Sequence, residues 1–185
     1  MSKELDAVLF AAACGAGAAL LRSLLGGRVR RNSDPKREVQ ERLSKAQIVS
    51  ERELASLADS PYASVRLNVV RHPRSSVDIV SYMARDKDQQ VRAAVAASGK
   101  ASVEAQQALA ADPNTAVLMA LARGRSTDEG VLRALSTHSD RYARLAVAQN
   151  INSTNDVLRK LQADRDGEIR SEAKATLSRK IRSER

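Results

Sequence analysis

The sequence predicts an all-α protein, an α-solenoid of about five 26-residue two-helix repeats with a hydrophobic helix before them. Three observations carry that prediction. Apolar positions recur at a fixed step: Leu57, Met83, Leu109, Leu135 and Leu161 are each 26 apart, as are Val65, Val91, Val117, Ala143 and Ile169. Helix-starting residues recur at the same step, at Ser50, Ser76, Ser102, Asp128 and Thr154. All are good N-caps, whose side-chain oxygen accepts an otherwise orphaned amide. The composition agrees, because 43% of the 185 residues are hydrophobic but only 2% are aromatic, with no Trp. A core of Ala, Leu and Val suits short helices in close contact.

From the N-terminus, the first element is "AVLFAAACGAGAALLRSLL", residues 7–25. As a helix these residues span about 28 Å, near the thickness of a bilayer's hydrocarbon. Arg22 sits near one end, and Arg28, Arg30 and Arg31 follow, so the positive-inside rule puts the repeats at the cytoplasmic face of a membrane. An apolar helix capping the repeats in a cytoplasmic, soluble chain is the alternative, and a processed leader is a third reading. "MSKELD" is a poor positive n-region for such a leader. Residues 1–27 are thus one segment. Residues 28–49 form a basic linker and a worn repeat, with Asp34, Pro35, Val39 and Leu43 in phase with Ser60, Pro61, Val65 and Val69.

Residues 50–177 hold the clear repeats. After each cap come apolar residues at helical spacing, such as Val77, Val80 and Met83. Upstream of the next cap, Val91, Ala94 and Val95 mark a second helix. Helices of about ten residues are marginal alone in water. Neighbouring repeats must therefore bury each other's apolar faces. Residues 178–185 read as a basic tail.

Charge is uneven. Residues 57–177 hold seventeen Lys or Arg against fourteen Asp or Glu, and the last eight hold four against one. The formal charge of +9 is therefore concentrated near the ends. A nucleic-acid binder more usually loads its folded body. Cys14 is the single cysteine, which excludes an intrachain disulfide framework.

"LAADPNTAVLMALARGRSTDEGVLRAL" and "MARDKDQQVRAAVAASGKASVE" resemble the leucine-rich repeat variant and, more distantly, HEAT-type repeats. Both families have the form Leu-Ala-x-Asp, then, after four or five residues, Val-Arg-x-Ala-Val-Ala. The resemblance covers residues 50–177. It implies a curved right-handed stack of short helices, some of them 3₁₀, that serves as a binding surface. Some such relatives hold an iron–sulfur cluster in a cysteine-rich N-terminal segment, but Cys14 alone cannot ligate one. No cofactor or metal is expected.

An arginine recurs at Arg66, Arg92, Arg144 and Arg170, with Leu118 as the exception. It could grip phosphates or meet a carboxylate in the adjacent repeat. In HEAT-type relatives an Asp and an Arg at such places form a ladder, which favours the second. Pairing each arginine with the following repeat joins Arg66 to Asp86, Arg92 to Asp112 and Arg144 to Asp164. Where Leu118 removes the arginine, His138 removes the carboxylate. Arg170 has no later repeat and is expected to be free for solvent or a partner.

Binding is expected instead along the loops "RHPRSS", "ASGKAS", "RGRSTD" and "QNINST". There Arg71, Arg74, Lys100, Arg123 and Arg125 form a candidate edge for an anionic partner, against the plainer reading of a solvated edge. Without aromatics, stacking of single-stranded bases is poorly supported. His72 and His138 lie in different phases with no ligand spacing around them, and no phosphate-cradling loop or nucleophile elbow occurs. Some helical-repeat proteins excise alkylated bases using aromatic side chains, but Tyr62, Tyr82 and Tyr142 form no cluster in the sequence. The expected function is non-enzymatic: a scaffold for a protein partner. Weak nucleic-acid binding through basic loops and termini is the alternative.

Overall fold

The computed structural model describes residues 50–183. The apolar stretch 7–25 with Cys14, the linker and worn repeat 28–49, and Arg185 lie outside the described residues. Among the described residues all regular structure is helical. Helices α1 (Glu51–Ala58) and α2 (Ala63–Arg71) come first, then α3 (Val77–Tyr82) running into a 3₁₀ turn (Met83–Arg85). Next are α4 (Gln89–Ser98), α5 (Val103–Leu109), α6 (Thr115–Arg123), α7 (Glu129–Leu135), α8 (Arg141–Gln149), α9 (Asn155–Leu161) and α10 (Gly167–Ser183). The starts Glu51, Val77, Val103, Glu129 and Asn155 keep the 26-residue step, as do Ala63, Gln89, Thr115, Arg141 and Gly167. Among the described residues no helix is long and apolar enough to cross a membrane.

The chain forms two compact units, divided between Val80 and Ser81. In the first, α1 begins with a capping box: Glu53 N–H donates to Ser50 Oγ while Ser50 N–H donates to the Glu53 carboxylate. α1 packs on α2, burying Leu54 and Ala58 against an apolar side that includes Val65, Val69 and Val70.

In the second unit the even-numbered helices pack in sequence, α4 on α6, α6 on α8 and α8 on α10. Their contact faces are small. Val95, Leu121, Val147 and Ala173 share one register position, and Ala96, Ala122 and Ala148 the next, and all are buried. Short side chains let these helices approach closely. The odd-numbered helices supply the longer residues, with Leu109, Leu135 and Leu161 at most 1% exposed. Truncating any of these three to Ala would cost about 2–5 kcal/mol.

Both helix rows are capped. Ser102, Asp128 and Thr154 accept backbone N–H bonds at the starts of α5, α7 and α9. A second phase does the same for the other row: Asp88, Asn114 and Asp140 cap α4, α6 and α8, and Asp166 accepts from Glu168 N–H. Gly99 ends α4 with φ +67, the left-handed conformation that favours glycine.

α10 is longer than the other helices and packs on both α8 and α9. Residues 178–183, read from charge as a separate tail, are its last turns. Lys180 there donates to the Ser153 carbonyl at 2.7 Å, and cations in a final turn favour the helix dipole.

Candidate functional site

Two edges of the second unit carry most of the bonds between repeats, one along the turns that precede the even-numbered helices, the other along the loops that follow them.

On the turn edge, the Arg92 guanidinium donates through Nε to Asp112 Oδ2 at 2.6 Å and through Nη2 to Oδ1 at 3.2 Å. Arg144 repeats the arrangement with Asp164, at 2.8 and 3.4 Å. Each arginine also donates through Nη1 to the carbonyl six residues earlier: Arg66 to Ser60, Arg92 to Asp86, Arg144 to His138 and Arg170 to Asp164. That bond lies within the arginine's own repeat, and the sequence pattern gave no sign of it. It corrects one expectation, because Arg170 is exposed but is not free. Arg66 and Asp86 belong to different units.

The carboxylates also close their own turns. Asp88 N–H donates to Asp86 Oδ1, Asn114 N–H to Asp112 Oδ1 and Asp166 N–H to Asp164 Oδ1. At the exceptional repeat Asp140 N–H donates to His138 Nδ1. The Arg92 pKa is raised by its bond to Asp112. Burial pushes Asp164 up, but the Arg144 bond and the Asp166 N–H outweigh it and hold that carboxyl below its ordinary range.

An outer rail, missed in the sequence, runs beside these pairs. Asn114 Nδ2 donates to Gln89 Oε1 at 2.5 Å, and the Thr115 hydroxyl donates to Asp140. Arg141 donates to Asp166 at 2.9 Å and to Glu168 at 3.0 Å. Its signal was present, in the cap-type residues Asp88, Asn114, Asp140 and Asp166 at one phase.

The loop edge is held by amides rather than ions. Gln106 Nε2 donates to the Ala101 and Ser126 carbonyls, and Gln106 Oε1 accepts from Asp128 N–H. Asn150 Nδ2, buried, donates to the Ala122 and Gly124 carbonyls at 2.7 and 3.1 Å. Asn152 Nδ2 donates to the Arg125 carbonyl. A Cβ at Gly99 would lie 3.3 Å from Ser126 Oγ, so these two loops touch. This arrangement brings Lys100, Arg123 and Arg125 to one edge, Arg123 and Arg125 exposed and Lys100 half-buried. Arg71 and Arg74 are exposed in the first unit, Arg71 closing α2 and Arg74 N–H donating to His72 Nδ1.

Among the described residues no group of three or more His, Cys, Asp or Glu is arranged to hold a metal ion. No protein-family model, curated protein or solved structure matches the chain.

Proposed function

We propose that the repeats form a right-handed α-solenoid acting as a non-enzymatic scaffold for a protein partner, held at the cytoplasmic face of a membrane by residues 7–25. The observation that carries this reading is the double fastening of successive repeats. Ion pairs on the turn edge and amide bonds on the loop edge fix the backbone of both long edges. A pre-ordered surface loses little entropy on binding, which is what an extended recognition surface requires. Exposed Tyr82, Val103, Tyr142 and Ile151 lie among polar neighbours, the mixture found at protein interfaces.

Lys100, Arg123 and Arg125 on one edge favour a second reading, in which a nucleic-acid backbone tracks that edge. A salt series separates the two. Binding to duplex DNA by the full chain should be weak and should fall steeply as salt rises. Changing Arg71, Arg74, Lys100, Arg123 and Arg125 together to Ser should flatten that slope without unfolding the protein. Tight DNA binding that survives physiological salt rejects the protein-scaffold reading. For the anchor, the full chain should resist alkaline washing from membranes, and a chain lacking residues 1–27 should not.

A further inference from the structure

One junction of the second unit opens into a cleft of about 660 Å³. Its walls are Ser136–Ser139, which follow α7, and Lys160, Leu161, Ala163, Asp164 and Arg165, which end α9 and lead to α10. Arg144 lies between them, 5% exposed. We infer that this cleft is a binding site for a phosphate monoester carried on a serine or threonine of a partner protein. The inference rests on the protein-scaffold reading for the phosphate's carrier, though not for the site itself.

The repeat register shows what is unusual here. Lys160 and Arg165 stand where the preceding repeat has Ala134 and Ser139, and the one before that Ala108 and Pro113. One repeat earlier still the same positions hold Tyr82 and Lys87, so a cation recurs at the second of them, but within residues 50–177 the two positions are cationic together only at the walls of this cleft. Departures from a repeat's own rule are where function is expected to override structure.

The donors suit an oxyanion. Arg144 commits four of its five N–H groups, to Asp164 through Nε and Nη2 and to the His138 and Ser139 carbonyls through Nη1, leaving one Nη2–H. His138 Nδ1 accepts from Asp140 N–H, so the ring proton sits on Nε2 as a donor. Lys160 and Arg165, both exposed, add two cations. The charge balance decides which anion. Among the residues that line the cleft, Lys160, Arg165 and Arg144 set three positive charges against the one negative charge of Asp164, an excess of two. A phosphate monoester carries close to two negative charges at neutral pH, and a carboxylate only one. The cleft is also of the size that holds whole ligands, so it has room for residues flanking the phosphorylated one.

The test uses the full-length chain in mild detergent, with three probes: inorganic phosphate, a degenerate phosphoserine peptide library, and the same library unphosphorylated. Phosphate should shift the amide resonances of Ser136–Ser139 and Ala163–Arg165. The phosphoserine library should bind at least about tenfold tighter than the unphosphorylated one, and than inorganic phosphate. Lys160→Ala with Arg165→Ala should remove that preference, whereas Arg123→Ala with Arg125→Ala should not. Equal binding of both libraries, or phosphate shifts centred on residues 124–128, overturns the site. Phosphate shifts in the cleft that the Lys160/Arg165 variant abolishes, without any gain for the peptide, keep the site but reject a protein as the phosphate's carrier.

Discussion

The junction between Arg92 and Asp112 and the one between Leu118 and His138 occupy the same register positions, yet only the first is ionic. Their common feature separates two tasks. Asp112 accepts its own turn's N–H, from Asn114, and also takes the arginine of the preceding repeat. His138 keeps the first task through Nδ1 and drops the second. Leu118, 2% exposed, replaces the arginine with apolar burial. Closing the turn is therefore the constant requirement of this position, and the ion pair is an option that needs both partners. The uncharged junction keeps its outer bond, from Thr115 to Asp140.

Installing half of the missing pair should have the largest effect. Leu118→Arg puts an unpaired guanidinium into a dry site and should destabilise folding by about 3–5 kcal/mol in urea denaturation. Adding His138→Asp should restore at least half of that loss. If the double variant is no more stable than the single one, the two junctions are not interchangeable.

The ionic junction can be broken from either side. Asp112→Ala removes both tasks and should cost about 2–4 kcal/mol. Asp112→Asn keeps a turn acceptor and should cost about half as much. Arg92→Ala should cost about 1.5–3 kcal/mol, and with Asp112→Ala the pair should fall well short of additive. Additive losses would mean that Arg92 is held by the Asp86 carbonyl rather than by Asp112.

A smaller effect is expected in acid. The Asp164 pKa is lower in the folded chain than in the unfolded one, so its contribution is complete above the unfolded value of about 3.9. It is lost as pH falls through that value toward the folded one. Asp164→Asn should flatten the acid limb of the stability profile between about pH 5 and 2. An unchanged limb would show that other carboxylates dominate it.

Most of the helical organisation was legible in the sequence because it is periodic. Leucines at one phase and caps at another mark helix interiors and starts, and burial and capping act on every repeat alike. What stayed hidden is local. Gln106 and Asn150 have no counterparts in neighbouring repeats, so no recurrence pointed to the amide bonds of the loop edge. The arginine-to-carbonyl bonds use an acceptor that every residue possesses, and sequence cannot single it out. Residues 178–183 looked like a tail because charge was counted without its helical phase, in which Ile169, Ala173 and Thr176 face inward and, of the cations, only Lys180 is drawn in, to the Ser153 carbonyl. Basic residues that define an edge on paper, Lys100, Arg123 and Arg125, needed the loop contacts before they could be placed together.

The turn-edge and loop-edge bonds also constrain how such a chain could have grown. Arg92 with Asp112 and Arg144 with Asp164 are 20 residues apart, while Asn150 reaches back 28 and 26 residues to Ala122 and Gly124. A single residue gained or lost in a loop would change the separation of every bond that spans that loop. Copying a complete 26-residue unit leaves every bond with a partner of the right kind. Lengthening by whole-unit gene duplication is then the permitted route, and indels inside a repeat should be selected against more strongly than substitutions in it.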